Sequence, residues 1–125
     1  MGIAATLAVV YAISCCGVIG FQIALIAGAP WGPITQGGTH ERALPLSGRV
    51  AACASIFILL GLACAIRSAA GLWPFWPGWT AWIALAVQAL STLANWITPS
   101  KPERRLWAPI TSFLLATALG AILLA

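Results

Sequence analysis

Charge is what this chain has least of. Charged side chains make up 6% of its 125 residues, against 62% apolar, and only two of them are acidic. So few charges cannot clothe a globule of this size in water, so a soluble domain is excluded and lipid is the expected outer solvent. With two glutamates far apart in sequence, one histidine and no aspartate, no paired carboxylates, metal cluster or Ser-His-Asp set appears. An enzyme is therefore not expected, nor a metal or other cofactor. The net charge of +4 does not indicate nucleic acid, because the cations are few and gather at helix ends. None of the four cysteines, Cys15, Cys16, Cys53 and Cys64, forms a C-x-x-C pair, and all fall inside apolar runs. They read as small packing residues. Ala12-Ile13-Ser14-Cys15 faintly resembles a lipoprotein cleavage site, but no basic residue precedes it and the apolar run continues to Ala29.

What is present is a set of four long apolar runs. A spanning helix needs about 20 mostly apolar residues. The runs cover residues 3–27, 48–68, 77–97 and 101–125, which leaves one integral membrane domain over residues 1–125. The expected fold is all-α, a four-transmembrane-helix bundle. Gly28-Ala29-Pro30 ends the first run, because glycine and proline stop a helix. Ser47 is the expected N-cap of the second run. Ser100-Lys101-Pro102-Glu103 has the form of a capping box for the fourth, and Pro109 is expected to kink that helix or unwind its first turns. The first connection, about 18 residues with Gly37-Gly38 at its centre, is long for a helical bundle and is expected to fold back on it.

The cations orient the bundle. Arg42, Arg49, Lys101, Arg104 and Arg105 belong to the first and third connections and their helix ends, whereas only Arg67 lies at the opposite end. This asymmetry places loops one and three in the cytoplasm. Tryptophan marks both ends, with Trp73, Trp76, Trp79 and Trp82 at one and Trp31, Trp96 and Trp107 at the other. Amphipathic rings favour both interfaces.

Polar side chains inside the runs are few. Ala81, Ala84, Gln88, Ser91 and Asn95 recur every three or four residues, so they share one stripe of the third helix. An amide facing lipid is costly, so the stripe is expected to face inward, with Gln22 of the first helix at a similar depth. Such groups tie helices together at about 0.6 kcal/mol each, which is a sufficient structural reason for them. Gly17, Gly20, Ala24 and Ala27 form a small-residue stripe suited to close helix approach. Glu41-Arg42-Ala43-Leu44 and Glu103-Arg104-Arg105-Leu106 agree at three of four positions, each before an even-numbered helix. Two related helical hairpins would leave such an echo.

The densest set of motifs lies at the basic end. It comprises Gly28-Ala29-Pro30-Trp31-Gly32, Gly37-Gly38, Leu44-Pro45, Arg49, Asn95, Ser100, Glu103-Arg104 and Trp107-Ala108-Pro109. In this order the motifs resemble a family of small bacterial four-helix integral membrane proteins of no assigned activity. The resemblance spans about Ala27 to Pro109 and implies the fold without a mechanism. From the residues alone, Glu103 serves as a helix cap or pairs with Arg49 or Arg42, and Arg104 meets Glu41 or lipid phosphate. Trp31, Arg49, Asn95, Glu103, Arg104 and Trp107 are the candidates for an inward-facing pocket that takes a small polar or anionic group.

Two functions fit this inventory. One is a structural or accessory subunit that packs on a larger membrane complex, with lipid and other subunits or itself as partners. The other is a small-solute transporter or channel, which at this size requires an oligomer. The charge asymmetry gives the first testable outcome. With the native cysteines replaced, a single cysteine at Thr39 should resist a membrane-impermeant maleimide in intact bacterial cells, and one at Gly78 should react; the reverse pattern contradicts the orientation.

Overall fold

A computed structural model describes all residues, 1–125, and is helical throughout apart from its connections. Four helices follow one another: α1 (Ile3–Ile26), α2 (Leu46–Ala69), α3 (Trp79–Ile97) and α4 (Lys101–Leu123). They contain 24, 24, 19 and 23 residues, and each is apolar enough to cross a membrane. At about 1.5 Å per residue even α3 reaches about 28 Å, close to the thickness of a hydrocarbon core. Each helix packs on its chain neighbours and α1 also packs on α4, which closes the ring. The α2–α3 seam is the loosest of the four.

The core sits in the half of the bundle away from the basic loops. Ala8, Ala65, Ala81, Ala84, Ala118 and Ala121 are all buried there, around Tyr11, Cys15 and Ile66. Alanine at facing positions lets helix backbones approach closely, which is how helices gain packing energy in lipid. The Tyr11 hydroxyl donates to Gln88 Oε1 at 2.8 Å, so the one polar pair in this core joins α1 to α3. The Thr92 hydroxyl reaches the Thr111 carbonyl on α4 at 3.0 Å. Ala81, Ala84 and Gln88 are buried as their spacing requires, but toward the basic end the buried position shifts to Thr92. Ser91 and Asn95 then sit at the edge of the interior.

Several helix limits differ from the sequence reading. The α2 helix starts at Leu46 with Pro45 as its N-cap, two residues ahead of the expected Ser47. Pro45 carries the fixed φ that precedes a helix, and its carbonyl accepts from Arg49 N at 3.0 Å, so no serine cap is required. The α3 helix begins at Trp79 rather than Pro77, because the Pro77 and Gly78 carbonyls serve as acceptors for its first turn. Pro109 does not unwind α4, which runs unbroken from Lys101 to Leu123. The similar tetrapeptides differ in local structure: Glu41-Arg42 lies in a bend and Glu103-Arg104 lies in a helical first turn.

The short α2–α3 connection is closed by side chains. Arg67 Nε donates to the Trp73 carbonyl at 3.1 Å, and Ser68 Oγ accepts from Trp76 N at 2.9 Å. Trp73, Trp79 and Trp82 project outward around it, as interfacial rings do. Cys15 is buried, but Cys16 and Cys53 face outward, so only part of the cysteine set packs the core. The tight alanine core yields a direct test. Ala118→Leu should lower unfolding free energy in detergent by about 1–3 kcal/mol, the usual penalty of overpacking. Ala116→Leu, on the exposed face of the same helix, should leave the denaturation midpoint nearly unchanged.

Candidate functional site

The basic end is organised by the first connection. It forms two single turns of 3₁₀ helix, Gly32–Ile34 and Gln36–Gly38, packed against α4 and tied to α2 through Gln36. Carbonyls that the connection turns toward the bundle are shielded from water by the helix ends, so they need protein donors. The sequence supplies them one by one. Ser100 Oγ donates to the Pro33 carbonyl at 2.7 Å, and Trp107 Nε1 donates to the Ile34 carbonyl at 2.8 Å. Gln36 Nε2 donates to the Gly48 carbonyl at 2.8 Å. Arg49 Nε donates to the Leu44 carbonyl at 2.9 Å, and its Nη1 reaches the Ile26 carbonyl at 3.4 Å. This clasp joins the end of α1, the first connection, α2 and α4.

Two glycines are required by close approach. Gly32 N donates to the Arg42 carbonyl at 2.8 Å, and a Cβ at Gly32 would collide with the carbonyl oxygens of His40 and Arg42. Gly38 has φ +69°, and a Cβ there would lie 2.5 Å from Ser100 Cβ. The expected capping box is present with an inserted member. Ser100 Oγ accepts from Glu103 N at 3.3 Å, and the Glu103 carboxylate accepts from Thr98 Oγ1 at 3.1 Å rather than from Ser100 N. Ser100 N donates instead to Thr98 Oγ1 at 3.4 Å.

The six candidate residues therefore divide among four places. Trp31 stacks on Phe21 with ring centroids 5.3 Å apart, and Trp107 meets the same ring edge-on at 4.7 Å. Trp107 also lines a cleft with Asn95. Arg49 belongs to the clasp, where main-chain carbonyls occupy its guanidinium, so it forms no pair with Glu103. Glu103 is buried as a cap. Arg104 lines a shallow surface recess with Lys101 and Arg105, and its Nε is buried without a partner.

The cleft is the main internal cavity of this half. It has one lobe of about 270 Å³ and a second of about 170 Å³, which share Val18, Gln22, Ser91, Trp107 and Thr111. Gln88 and Ser55 add to the first lobe, Asn95 and Thr35 to the second. The stripe reading located Gln22, Gln88 and Asn95. It missed Thr35 and Ser55. Thr35 lies in irregular backbone with no periodicity, and Ser55 occupies a helix position that a packing serine would equally fill. No lining residue of either lobe carries a charge, and no three His, Cys, Asp or Glu side chains come together anywhere in the chain.

Fold and site together define a small multi-pass membrane protein with a clasped basic end and an uncharged polar cleft. No protein-family model, curated protein or solved structure matches the chain.

The clasp can be tested through loop exposure. Trp107→Phe keeps the aromatic contact with Phe21 but leaves the Ile34 carbonyl without its donor, at a cost of about 1–3 kcal/mol. Tryptic cleavage after the exposed Arg42 should accelerate at least several-fold over wild type. An unchanged cleavage rate would show that the indole bond does not hold the loop.

Proposed function

We propose that the protein is a non-enzymatic accessory subunit of a larger membrane assembly, related to the four-helix family that its basic-end motifs resemble. The observation that carries this reading is a groove on the lipid-facing side of α1 and α4. It has a volume of about 490 Å³ and lies between Ser14, Gly17 and Val18 on α1 and Trp107, Pro109, Ile110 and Phe113 on α4. Nothing lies within 4 Å of where a side chain would begin at Gly17 or Gly20. In the core, by contrast, Ala8, Ala65, Ala84 and Ala118 are buried against neighbouring helices. Here the same small-residue surface is turned outward, which suits the backbone of another transmembrane helix.

The orientation proposed for the assembly is the one the cations favour, with loops one and three cytoplasmic in a bacterial inner membrane. A transporter reading has the uncharged cleft in its favour. Against it, the alanine-rich core fills the other half of the bundle, so one chain offers no path across.

Mild extraction tests the proposal. Tagged wild-type protein should co-purify with a larger membrane protein in fixed stoichiometry, and Gly17→Leu/Gly20→Leu should lose that partner while keeping its helical content and monodisperse elution. Recovery of the wild type alone, or as a symmetric homo-oligomer enclosing a water-filled axis, would contradict the accessory reading.

A further inference from the structure

The uncharged cleft is lined from all four helices, shares Val18 and Trp107 with the α1–α4 groove, and has features that helix packing does not require. Gln88 is 2% exposed, and its Oε1 accepts from Tyr11. Its amide nitrogen has no protein acceptor, although Gln88 lines the larger lobe. Thr35, 7% exposed, lines the other lobe, and its hydroxyl likewise makes no bond within the chain. The Gln22 amide makes none either, while Asn95 donates to its own helix at the Ser91 carbonyl and keeps its side-chain oxygen unpaired. Each of these groups opens onto the cleft and is free to pair with whatever fills it. Here they converge on one space from α1, α3 and the first connection.

The walls describe what fits. Donors and acceptors are both present and charge is absent, which selects a neutral group able to hydrogen-bond in both directions and penalises a phosphate or carboxylate. A space of about 270 Å³ would hold on the order of nine waters, far more than one structural water between two side chains. The cleft is also open sideways. Ile58 lines it yet is 53% exposed on the outer surface of α2. Ile58 and Leu62 continue into a third space of about 230 Å³ along the loose α2–α3 seam, lined chiefly by Ala65, Trp76, Trp79 and Ile83. From Ser91 to Trp79 the seam is about 18 Å long at about 1.5 Å per residue.

We propose that this cleft and seam bind one amphiphile with a neutral hydroxyl- or carbonyl-bearing head and a single apolar chain. The head lies among Gln22, Gln88, Ser91 and Asn95, and the chain runs between α2 and α3 toward the tryptophan-rich turn. The molecule enters from the bilayer through the loosest seam.

Photolabelling of the full chain in phosphatidylcholine nanodiscs tests the assignment. The probe is a monoacylglycerol with a diazirine near the end of its chain. Labelling should concentrate on α2–α3 seam residues such as Leu62 and Ile83, saturate with probe concentration and be displaced by unlabelled monoolein. Ser91→Phe, which fills the head site, should reduce seam labelling at least fivefold with elution and helical content unchanged. Gln22→Leu, which removes one head-binding amide, serves as the second variant should Ser91→Phe fail to fold. A phosphatidylglycerol bearing the same diazirine should label all lipid-facing helices without saturation. Diffuse, non-saturable labelling by the monoacylglycerol would mean a cleft filled by water alone and would overturn the proposal. Equal seam labelling by the anionic lipid would overturn the neutral-head assignment.

Discussion

Irregular backbone that packs against helix ends must find its hydrogen-bond partners within the protein, and the basic end of this molecule is arranged around that constraint. The carbonyls of Pro33, Ile34 and Leu44 are part-buried by the protein itself and would otherwise lack donors. Ser100 at the N-cap of α4, Trp107 of α4 and Arg49 of α2 supply those donors. The motifs that stand out in the sequence at this end thus have a common physical purpose. The glycines permit close approach, Pro45 starts a helix, and the serine, arginine and tryptophan bind backbone. A residue type selected for such duty also looks like a ligand-binding residue when only the sequence is seen.

The two halves of the bundle solve different problems. Away from the loops, alanines bring four helices together, and a single tyrosine–glutamine bond joins α1 to α3 across the alanine-rich core. Toward the loops the helices separate enough to leave a space edged by amides and hydroxyls. The separation coincides with the shift of the buried α3 position from Gln88 to Thr92, which rotates Ser91 and Asn95 to the edge of that space. Clasp and cleft share Trp107, whose indole nitrogen holds the loop while its ring forms a wall. Anything bound in the cleft is therefore in contact with the device that fixes the first connection.

The architecture was legible because apolar length and charge placement are direct consequences of the solvent. Runs of the right length with cations at their ends admit few alternatives, and the limits of α1 and α4 agree with the structure to within one or two residues. Local boundaries were less legible. Ser47 has the chemistry of an N-cap, yet Pro45 already sets the backbone and the helix starts before it. The amide stripe exposed Gln88 and Asn95 because helical spacing is periodic. The grouping of Trp31, Arg49, Glu103 and Arg104 as one pocket drew on their shared depth, but depth does not determine which way a side chain turns. Main-chain carbonyls occupy Arg49, Thr98 satisfies Glu103, and Arg104 turns toward its own basic neighbours. Thr35 could not be found at all without the path of the loop that carries it into the cleft.

Hydrogen exchange resolved to single amides in lipid nanodiscs examines the clasp most directly. Gly32 N–H, bonded to the Arg42 carbonyl, and Gly38 N–H, bonded to the Thr35 carbonyl, should exchange orders of magnitude more slowly than the same residues in an unstructured peptide. Exchange of both at free-peptide rates, while the helices stay protected, would contradict a first connection held by α2 and α4.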